Sequence, residues 1–339
     1  MITPAQFNVF VTVANTTIGA VYESASVESV YTDFCQVEPS SSSQNEYAWT
    51  GMLNKMRLWN GPRISSEPAP QTYVLPNQAF EGPNVVIDRF RLDDDKRMYN
   101  VYWRMLADMA RQARRQPDYM FRDLLENSGD QTGTRQLGLD GLPGFGTHYI
   151  DFYAPSKGTY INDFTGGGQN VTYAAPGGGT DTVLVGGGMT AAAVSSLWQY
   201  MATIPAEDNE PIGVTPNVIM VHPQLRLEAE TVLRNTFYAP PSWGVDLGGQ
   251  VGAAENALKR YGLDLVVNRF LKQAYTWYMC DTRQSFKPFI YQVREPVVFT
   301  PRINENDPVV YDNHQYQWGQ WGRMAVGWGY PFLYARSSS

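Results

Sequence analysis

Residues 93–118 read DDDKRMYNVYWRMLADMARQARRQPD, a stretch that predicts a long amphipathic helix. Seven apolar residues recur at three- and four-residue spacings and share one helical face: Met98, Val101, Tyr102, Met105, Leu106, Met109 and Ala113. The carboxylates of Asp93 to Asp95 precede them, where they can cap free backbone N–H groups. We expect a helix over residues 95–115, about 30 Å long. Pro117 should end or kink it, and a second short helix is predicted over 118–127.

The chain before this helix is rich in proline. Residues 55–92 hold Pro62, Pro68, Pro70, Pro76 and Pro83 among short apolar runs. Proline confines strands to sheet edges or two-stranded ribbons, and Asn60-Gly61 is a turn signal. We therefore predict an extended hairpin flap over residues 55–92. An isolated ribbon is marginally stable in water, so Trp59, Tyr73 and Phe80 are expected to pack on another surface.

A glycine-rich segment follows at residues 164–188. Its Gly triplets lie at 166–168, 177–179 and 186–188. A nucleotide-binding loop needs a lysine after the glycines, or GxGxxG spacing between a strand and a helix, and neither is present. The segment predicts a flexible surface loop.

Residues 189–295 predict a second unit of mixed helices and strands. Thr190 is expected to cap a helix that runs to about Ile204, and Pro223 to open one that runs to about Asn235. A buried strand is predicted at 217–221, and further strands are predicted at 263–267 and 274–280.

The C-terminal pattern predicts one strand with a bulky face and a nearly bare face. Its bulky positions are Met324, Val326, Trp328, Tyr330, Phe332 and Tyr334, and they alternate with small residues that include Ala325, Gly327 and Gly329. The bulky face is expected to cover the long helix, and the bare face to admit another backbone. This strand should tie the end of the chain to the first unit.

Composition narrows the class of protein. The chain has 339 residues, of which 43% are hydrophobic, which is enough for two units with sizeable cores. Its nine Trp and 21 Tyr suit interfaces or cores equally. Cys35 and Cys280 cannot form a disulfide scaffold and fit a reducing compartment. No apolar stretch has the roughly 18 residues of a membrane span, and no cation precedes Lys55, which argues against a secretory signal.

Charge is unevenly distributed along the chain. Residues 1–54 hold five acidic side chains and no cation, whereas residues 96–115 hold six cations against one acid, Asp108. The two segments are expected to pair across subunits; the alternatives are two solvated faces or a helix that faces DNA. The net charge of −7 limits nucleic-acid binding to weak, non-specific contact.

Residues for chemistry are sparse. His148, His222 and His314 have no partner at metal-ligand spacing, and no nucleophile motif occurs. We expect no catalytic residue, metal or cofactor. A carbohydrate-active enzyme is a remote alternative because Trp, Tyr and Gly are abundant, but no pair of carboxylates can be identified.

Residues 47–63, YAWTGMLNKMRLWNGPR, resemble the hallmark of the Mu-like phage major head subunit family. Similar motifs follow in the family's order: Asp93-Asp94-Asp95, Gln116-Pro117-Asp118, Leu139-Asp140-Gly141 with His148, and Ala325 to Tyr330. The resemblance covers most of the chain from Tyr47, is weak in the first forty residues and is interrupted by the glycine-rich segment.

The resemblance implies an α+β, Hong Kong phage-type capsid fold. Its parts would be an N-terminal arm (1–54), the flap or E-loop (55–92), a peripheral domain (93–163 and 296–339) with spine helix 95–115, the Gly-rich loop (164–188) and an axial domain (189–295). The implied function is the major capsid protein of a tailed bacteriophage, assembled in the bacterial cytoplasm as pentamers and hexamers of an icosahedral shell around double-stranded DNA. Portal, scaffolding or decoration proteins are implied partners. An encapsulin-like compartment shell is the alternative.

Site residues follow from the motifs and the resemblance. The flap interface is assigned to Arg57, Trp59, Gly61, Arg63, Tyr73 and Phe80. Arg104, Arg111, Arg114 and Arg115 of the spine helix are expected to face another subunit or DNA. Structural roles are assigned to Asp93, Pro117, Asp140, Gly141, His148, Trp328 and Tyr330.

Overall fold

A computed structural model of the chain describes residues 4–24, 29–49, 58, 71–95, 97–127, 136–151, 156, 158–174, 180–206, 210–235, 237–238 and 254–338. The helices are α1 (Pro4–Glu23), α2 (Tyr31–Phe34), α3 (Arg89–Asp94), α4 (Met98–Asn127), α5 (Ala191–Ala202), α6 (Arg226–Arg234) and α7 (Pro308–Asn313). Short 3₁₀ helices lie at Pro223–Leu225, Ala257–Tyr261 and Pro331–Leu333. None of the helices in these ranges is long and apolar enough to cross a bilayer.

The strands up to residue 185 are β1 (Cys35–Pro39), β2 (Gln44–Trp49), β3 (Gln71–Pro76), β4 (Gln78–Glu81), β5 (Val85–Asp88), β6 (Thr147–Tyr149), β7 (Thr159–Ile161), β8 (Asp163–Phe164), β9 (Gln169–Ala174) and β10 (Thr180–Val185). Those that follow are β11 (Val218–Val221), β12 (Phe237–Tyr238), β13 (Ala254–Glu255), β14 (Asp264–Val267), β15 (Thr276–Cys280), β16 (Phe289–Arg302), β17 (Gln315–Trp328) and β18 (Tyr334–Ser338).

The first sheet is built on the long antiparallel hairpin of β16 and β17. Its order is β1-β16-β17-β4, and β5 also pairs with β17. Side chains alternate between the two faces of a strand, and on β17 the even-numbered residues Met324, Val326 and Trp328 pack with the second half of α4. The bulky face therefore covers the long helix, as the sequence predicts.

The second sheet has the order β14-β11-β15-β18-β8. On β11, Ile219 and Val221 face a core shared with α5 and α6. Val218 and Met220 face the core shared with α4 and the first sheet. The predicted helices and strands of this unit are present, including the cap at Thr190, whose Oγ1 accepts a hydrogen bond from the N–H of Ala193 at 3.2 Å. The strand at Val218–Val221 is buried, as expected.

Helix α4 is longer than predicted, and Pro117 lies inside it. The prediction of two helices is wrong, because the chain is one continuous helix from Met98 to Asn127. Apolar residues hold it on both sides of the proline: Leu106, Met109, Ala110 and Ala113 before it, and Met120, Phe121, Leu124 and Leu125 after it, are buried. Their packing offsets the roughly 3 kcal/mol that a proline costs in a helix interior.

The acidic run before α4 belongs to two elements. Asp93 and Asp94 are the last residues of α3, which is itself capped by Asp88. Asp95 accepts a hydrogen bond from the backbone N–H of Arg97 at 2.9 Å, just before α4 begins. The capping role predicted for the run therefore falls on Asp95, because Asp93 and Asp94 lie at the end of α3 and not at the start of α4.

The predicted arm of residues 1–54 begins with a helix that packs on its own subunit. Phe10, Ala14 and Ile18 of α1 are buried against α4. The ring of Phe10 stacks on Trp103 with centroids 6.0 Å apart. The four-residue spacing of these apolar residues is typical of a helix, so this segment is not a free arm.

The glycine-rich segment is not a simple loop. Strands β9 and β10 form an antiparallel hairpin within it. Gly186 and Gly187 are buried, and the Gly187 carbonyl accepts a hydrogen bond from Trp277 Nε1 at 2.9 Å. The β-forming residues between the glycine triplets, such as Val171 and Val185, outweigh the glycine content.

The C-terminal strand is two strands in two sheets. β17 ends at Trp328, a 3₁₀ turn follows, and β18 pairs with β15 of the second sheet, with Cys280 opposite Tyr334. The chain end therefore joins the second sheet, while Tyr334 of β18 also packs in the core shared with α4 and the first sheet, so the predicted return to the first unit holds for this side chain and not for the strand pairing. Pro331 interrupts the alternation that suggested one strand, because it lacks the donor N–H that a ladder needs.

Candidate assembly interface

The candidate assembly element is the ribbon formed by β2 and β3, in which Trp49 lies opposite Gln71 and Gln44 opposite Pro76. Arg57, Trp59, Gly61 and Arg63 lie in the ribbon tip, residues 50–70, and outside the described residues. Leu58 of the tip is described, and its side chain is 81% exposed. The interface role of the four residues stays a prediction.

The base of the ribbon is anchored in its own subunit. Tyr73 and Leu75 are buried and pack with Leu139 and Ala325, whereas Val74 between them is 42% exposed. Alternation along β3 turns Tyr73 and Leu75 toward the first sheet. The prediction that Tyr73 packs on another subunit is therefore wrong.

A buried glutamine joins this base to the sheet. Gln292 of β16 donates from Nε2 to the Leu75 carbonyl at 3.1 Å and to Asn77 Oδ1 at 2.7 Å. Its Oε1 accepts a hydrogen bond from the hydroxyl of Tyr47 at 2.9 Å. Sequence reasoning missed Gln292, although a single polar residue in the apolar run 289–293 is a usable signal. Losing it would leave several buried groups unpaired, at about 1–3 kcal/mol each.

The bare face of β17 leaves room for side chains of the ribbon at Gly327, where the sequence predicts the approach of another backbone. A Cβ atom added to Gly327 would lie 2.7 Å from Tyr73 Oη and 2.9 Å from Leu75 Cδ2. Only glycine permits this approach. The ribbon base is therefore seated on the odd-numbered face of β17, opposite the face that packs on α4.

Phe80 belongs to the first sheet. It lies in β4 opposite Gly322 of β17 and packs, half-buried, against the core around α4. Strands β4 and β5 both pair with β17, so the predicted flap of residues 55–92 is too long at its C-terminal end. Phe80 is not at the tip of a projecting ribbon.

The four arginines of α4 differ in surroundings. Arg104 is exposed, and Arg111 forms an ion pair with Asp108 one turn earlier. Arg114 and Arg115 are half-buried. Burial raises the pKa of Asp118, and the positive charge of Arg114 partly counters that rise, so Arg114 lies near a carboxylate of its own subunit. Contact of these arginines with another subunit or DNA stays a prediction.

Asp140 and His148 form a buried pair. The His148 Nδ1–H donates to Asp140 Oδ2 at 2.5 Å, and Asp140 Oδ1 accepts from the backbone N–H of Leu142 at 3.1 Å. Gly141 provides the turn with φ of +73°. His148 Nε2 has no hydrogen-bond partner, so the expectation of a satisfied histidine holds for one ring nitrogen. The hydrogen bonds of Asp140 therefore fix the conformation of the turn at Gly141.

Trp328 and Tyr330 pack at the crossing between the sheets. Trp328 is fully buried and donates from Nε1 to the Gln136 carbonyl at 3.1 Å. A Cβ atom on Gly144 would lie 2.2 Å from its indole, so Gly144 is needed for this packing. Tyr330 is half-buried between the rings of Phe286 and Phe332.

Several exposed aromatic residues are not among the predicted site residues. Among them, Phe90, Tyr311 and Trp321 are 60%, 76% and 43% exposed. The exposure of Trp321 is predictable from the sequence. Side chains alternate between the two faces of a strand, and Trp321 lies at an odd position of β17, on the face opposite the buried Trp318. Exposed aromatic side chains are typical of interfaces. Within the described ranges, no group of three or more His, Cys, Asp or Glu side chains could hold a metal ion.

A family model described as the Mu-like prophage major head subunit gpT matches residues 10–168 and 262–339. No curated protein sequence matches the chain. A subunit of the procapsid of bacteriophage JBD30 is 22% identical, with a TM-score of 0.50 over 100% of this chain and 76% of that chain.

Two further capsid structures are similar. A chain of the JBD30 capsid decorated with minor capsid protein trimers is 19% identical, with a TM-score of 0.51 over 72% of this chain and 91% of that one. A chain of the mature capsid of bacteriophage PhiM1 is 10% identical, with a TM-score of 0.52 over 92% of this chain and 87% of that one. At these identities the similarity shows a shared fold.

Proposed function

The chain belongs to the Mu-like prophage major head subunit gpT family, and we propose that it builds its shell by laying the ribbon tip of each copy on a neighbouring copy. The protein is the major capsid protein of a tailed phage and has the Hong Kong phage-type capsid fold. It is a virion component, a structural subunit of a shell made of many copies.

One observation supports the role of the ribbon. Its base is buried in its own subunit, whereas Leu58, the residue of the tip that the structure describes, is exposed. Leu75 is 1% exposed at the base, whereas Leu58 in the tip is 81% exposed. A fully buried leucine is more stable than an exposed one by about 1.5–3 kcal/mol. Covering the apolar tip on a second copy therefore favours association.

The remaining contacts are proposed at a coarser level. Each copy presents different patches to its neighbours, and such contacts close into pentamers and hexamers under point-group symmetry. The exposed rings of Phe90 and Tyr311 are proposed to lie in these contacts. Residues 189–295 are proposed to surround the symmetry axes, although β18 joins their sheet.

Other partners are also proposals. The JBD30 capsid carries minor capsid protein trimers, and this chain is proposed to accept a portal and scaffolding or decoration proteins as well. Contact with packaged DNA would be weak, because the net charge is −7. Assembly is proposed to take place in the host cytoplasm.

The test replaces residues 50–70 with Asn-Gly, which suits a two-residue turn between the paired Trp49 and Gln71. Strand β3 is kept because Leu75 is buried. The shortened subunit should unfold at the same temperature as the natural chain but form no particles in sedimentation and electron microscopy.

A matched control keeps the length and replaces residues 51–69 with glycine and serine, and it should also fail to assemble. Intact shells from the shortened, folded subunit would contradict the role of the ribbon.

A further inference from the structure

A polar depression of about 370 Å³ lies on the first sheet, at the point along β17 where β4 ends and β5 begins. The last pair of β4 joins Glu81 to Trp321. The first pair of β5 joins Val85 to Trp318. Residues 82–84 therefore stand opposite only two residues of β17, which makes a β-bulge. A bulge interrupts the ladder and re-aims the side chains beside it.

Glycine forms the floor of the depression, and tryptophan forms one wall. A Cβ atom on Gly319 would lie 2.7 Å from Asn84 Oδ1, so a larger residue at this position would close the space. Trp321 lies two residues further along the same face of β17, because side chains alternate, and it is 43% exposed. A flat apolar ring therefore stands beside a bare stretch of backbone.

Polar side chains surround this floor. On β16, Thr300 lies opposite Gly319, and residues directly opposite each other share a face of the sheet. The polar residues that line the depression are Glu81, Asn84, Thr300, Arg302, Gln317 and Gln320. They include one carboxylate and one guanidinium, so their formal charges balance. Together they supply both hydrogen-bond donors and acceptors.

Gln320 adds a polar group without a partner. The residue is 8% exposed, and its Oε1 has no hydrogen-bond partner among the described residues. Its side-chain amide lies against Gly82, where a Cβ atom would collide with it. A buried acceptor without a donor is unfavourable. A ligand that brings an N–H or O–H donor to this oxygen would remove the penalty.

We propose that this depression is a binding site for a neutral sugar ring, and that an N-acetylhexosamine of gluco configuration is the ligand that fits it best. In this configuration the ring substituents are equatorial, so each face of the ring is a flat surface of C–H groups that stacks on the indole of Trp321. Every sugar hydroxyl both donates and accepts hydrogen bonds, which matches the mixed lining. The acetamido N–H supplies the donor that Gln320 Oε1 lacks.

The lining argues against charged ligands and against catalysis. An anionic ligand would be repelled by Glu81, and a cationic ligand by Arg302. The volume is at the lower end of the range for ligand pockets, which suits one or two sugar rings. Glycoside hydrolysis needs a pair of carboxyl groups, and Glu81 supplies the one carboxylate among the described residues that line the depression. The site therefore binds a sugar and does not cleave it.

Saturation-transfer NMR tests the proposal on the full chain, kept below the concentration at which shells form. The probes are the β-1,4-linked trimer of N-acetylglucosamine and cellotriose, which has the same ring configuration and linkage without the acetamido groups. The natural chain should bind the first with a Kd of about 1 mM or below. It should bind cellotriose about fivefold more weakly, as expected for the loss of one hydrogen bond. Gln320→Leu, which lacks the acceptor, should bind the two probes equally.

The stacking surface is tested by substitution. Trp321→Ala should weaken binding of the N-acetylglucosamine trimer about tenfold or more. The matched control is Tyr275→Ala, which removes a ring that is 67% exposed but does not line the depression, and it should leave the affinity unchanged. Gly319→Ala should abolish binding because its methyl group fills the floor. The unfolding temperature of each variant shows that it is folded, and Asn84→Ala, at an exposed residue, should weaken binding about threefold if Trp321→Ala does not fold.

Two results would overturn the site. One is the absence of saturation transfer to either probe, and the other is binding that survives both Trp321→Ala and Gly319→Ala. Equal affinity of the natural chain for the two probes would overturn the N-acetylhexosamine as the ligand. None of these results bears on the ribbon, whose role is tested by the chain with residues 50–70 replaced by Asn-Gly, so the sugar site and the proposed function fail separately.

Discussion

The seat of the ribbon on β17 can be tested with a double-mutant cycle on Leu75 and Gly327. Leu75→Ala should lower the free energy of unfolding by about 2–5 kcal/mol, because the residue is 1% exposed. Gly327→Ala should cost about 1–3 kcal/mol, because its new methyl group would lie 2.7 Å from Tyr73 Oη and 2.9 Å from Leu75 Cδ2.

The double variant should be more stable than the sum of the two effects predicts. Two of the three short contacts to the new methyl group, at 2.9 and 3.1 Å, belong to Leu75. Removing that side chain relieves them, and the methyl group fills part of the space left behind. The coupling should therefore be at least about 1 kcal/mol in favour of the double variant.

The measurement is urea unfolding, followed by far-UV circular dichroism, of subunits kept below the concentration at which shells form. The matched control cycle pairs Leu75→Ala with Gly19→Ala. Gly19 is in α1, and a Cβ atom there would meet nothing within 4 Å, so the two effects should add. Additivity within about 0.5 kcal/mol for the Leu75 and Gly327 pair would refute the seating of the ribbon on β17.

Single substitutions at three positions probe other parts of the subunit by the same urea unfolding. Gly19→Ala alone should raise the free energy of unfolding by about 0.5–1 kcal/mol, because glycine weakens a helix interior; a loss would contradict the open space around it. Asp118→Ala should cost about 2–3 kcal/mol at neutral pH, because Asp118 Oδ1 accepts the N–H groups of Val30 and Tyr31, whereas Asp118→Asn keeps the acceptor and should stay within about 1 kcal/mol. Burial raises the pKa of Asp118 above 3.8. As pH falls from neutral toward that value, the free energy of unfolding of the natural chain should therefore rise relative to that of the Asp118→Asn protein. A difference between the two proteins that does not change with pH would contradict this. Burial tends to raise the pKa of Asp163, but two hydrogen bonds from Arg336 and its charge outweigh this and hold the pKa below 3.8. Asp163→Asn should therefore lower the free energy of unfolding by about 2 kcal/mol at neutral pH, and this cost should disappear as pH falls through the lowered pKa. A cost that stays constant in acid would refute the role of the charge.

The sequence predicts elements well where one face of a helix or strand has a single environment. The cap at Thr190, the buried strand at Val218–Val221 and the bare face at Gly327 all follow from local patterns. Pro117 was misjudged because the propensity of one residue is outweighed by buried apolar contacts on both sides of it. A local pattern also does not identify the packing partner. Alternation along the strand shows that Tyr73 has a buried face, but it does not show that the sheet of the same subunit covers it.

The candidate site is harder to predict than the fold, because assembly residues need not differ in type from core residues. Gln292 and Gln320 are polar residues within strands, and only the structure shows that the first has partners and that Oε1 of the second has none. Phe90 and Tyr311 are exposed, but phenylalanine and tyrosine also occur in the buried core, so residue type alone does not identify them. These roles depend on which segments, far apart in the sequence, lie close together in the fold. The periodicity of apolar residues in a single sequence does not show those contacts.

The anchoring of the ribbon also sets how strongly a neighbour can hold its tip without deforming the subunit. Leu75 and the hydrogen bonds of Gln292 together resist detachment of the base by several kcal/mol, at about 2–5 for the leucine and 1–3 for each buried group left unpaired. A single dominant interface side chain contributes about 2–4 kcal/mol. The base is therefore stronger than one tip contact, and a strained shell should release the tip from its neighbour before the ribbon leaves β17.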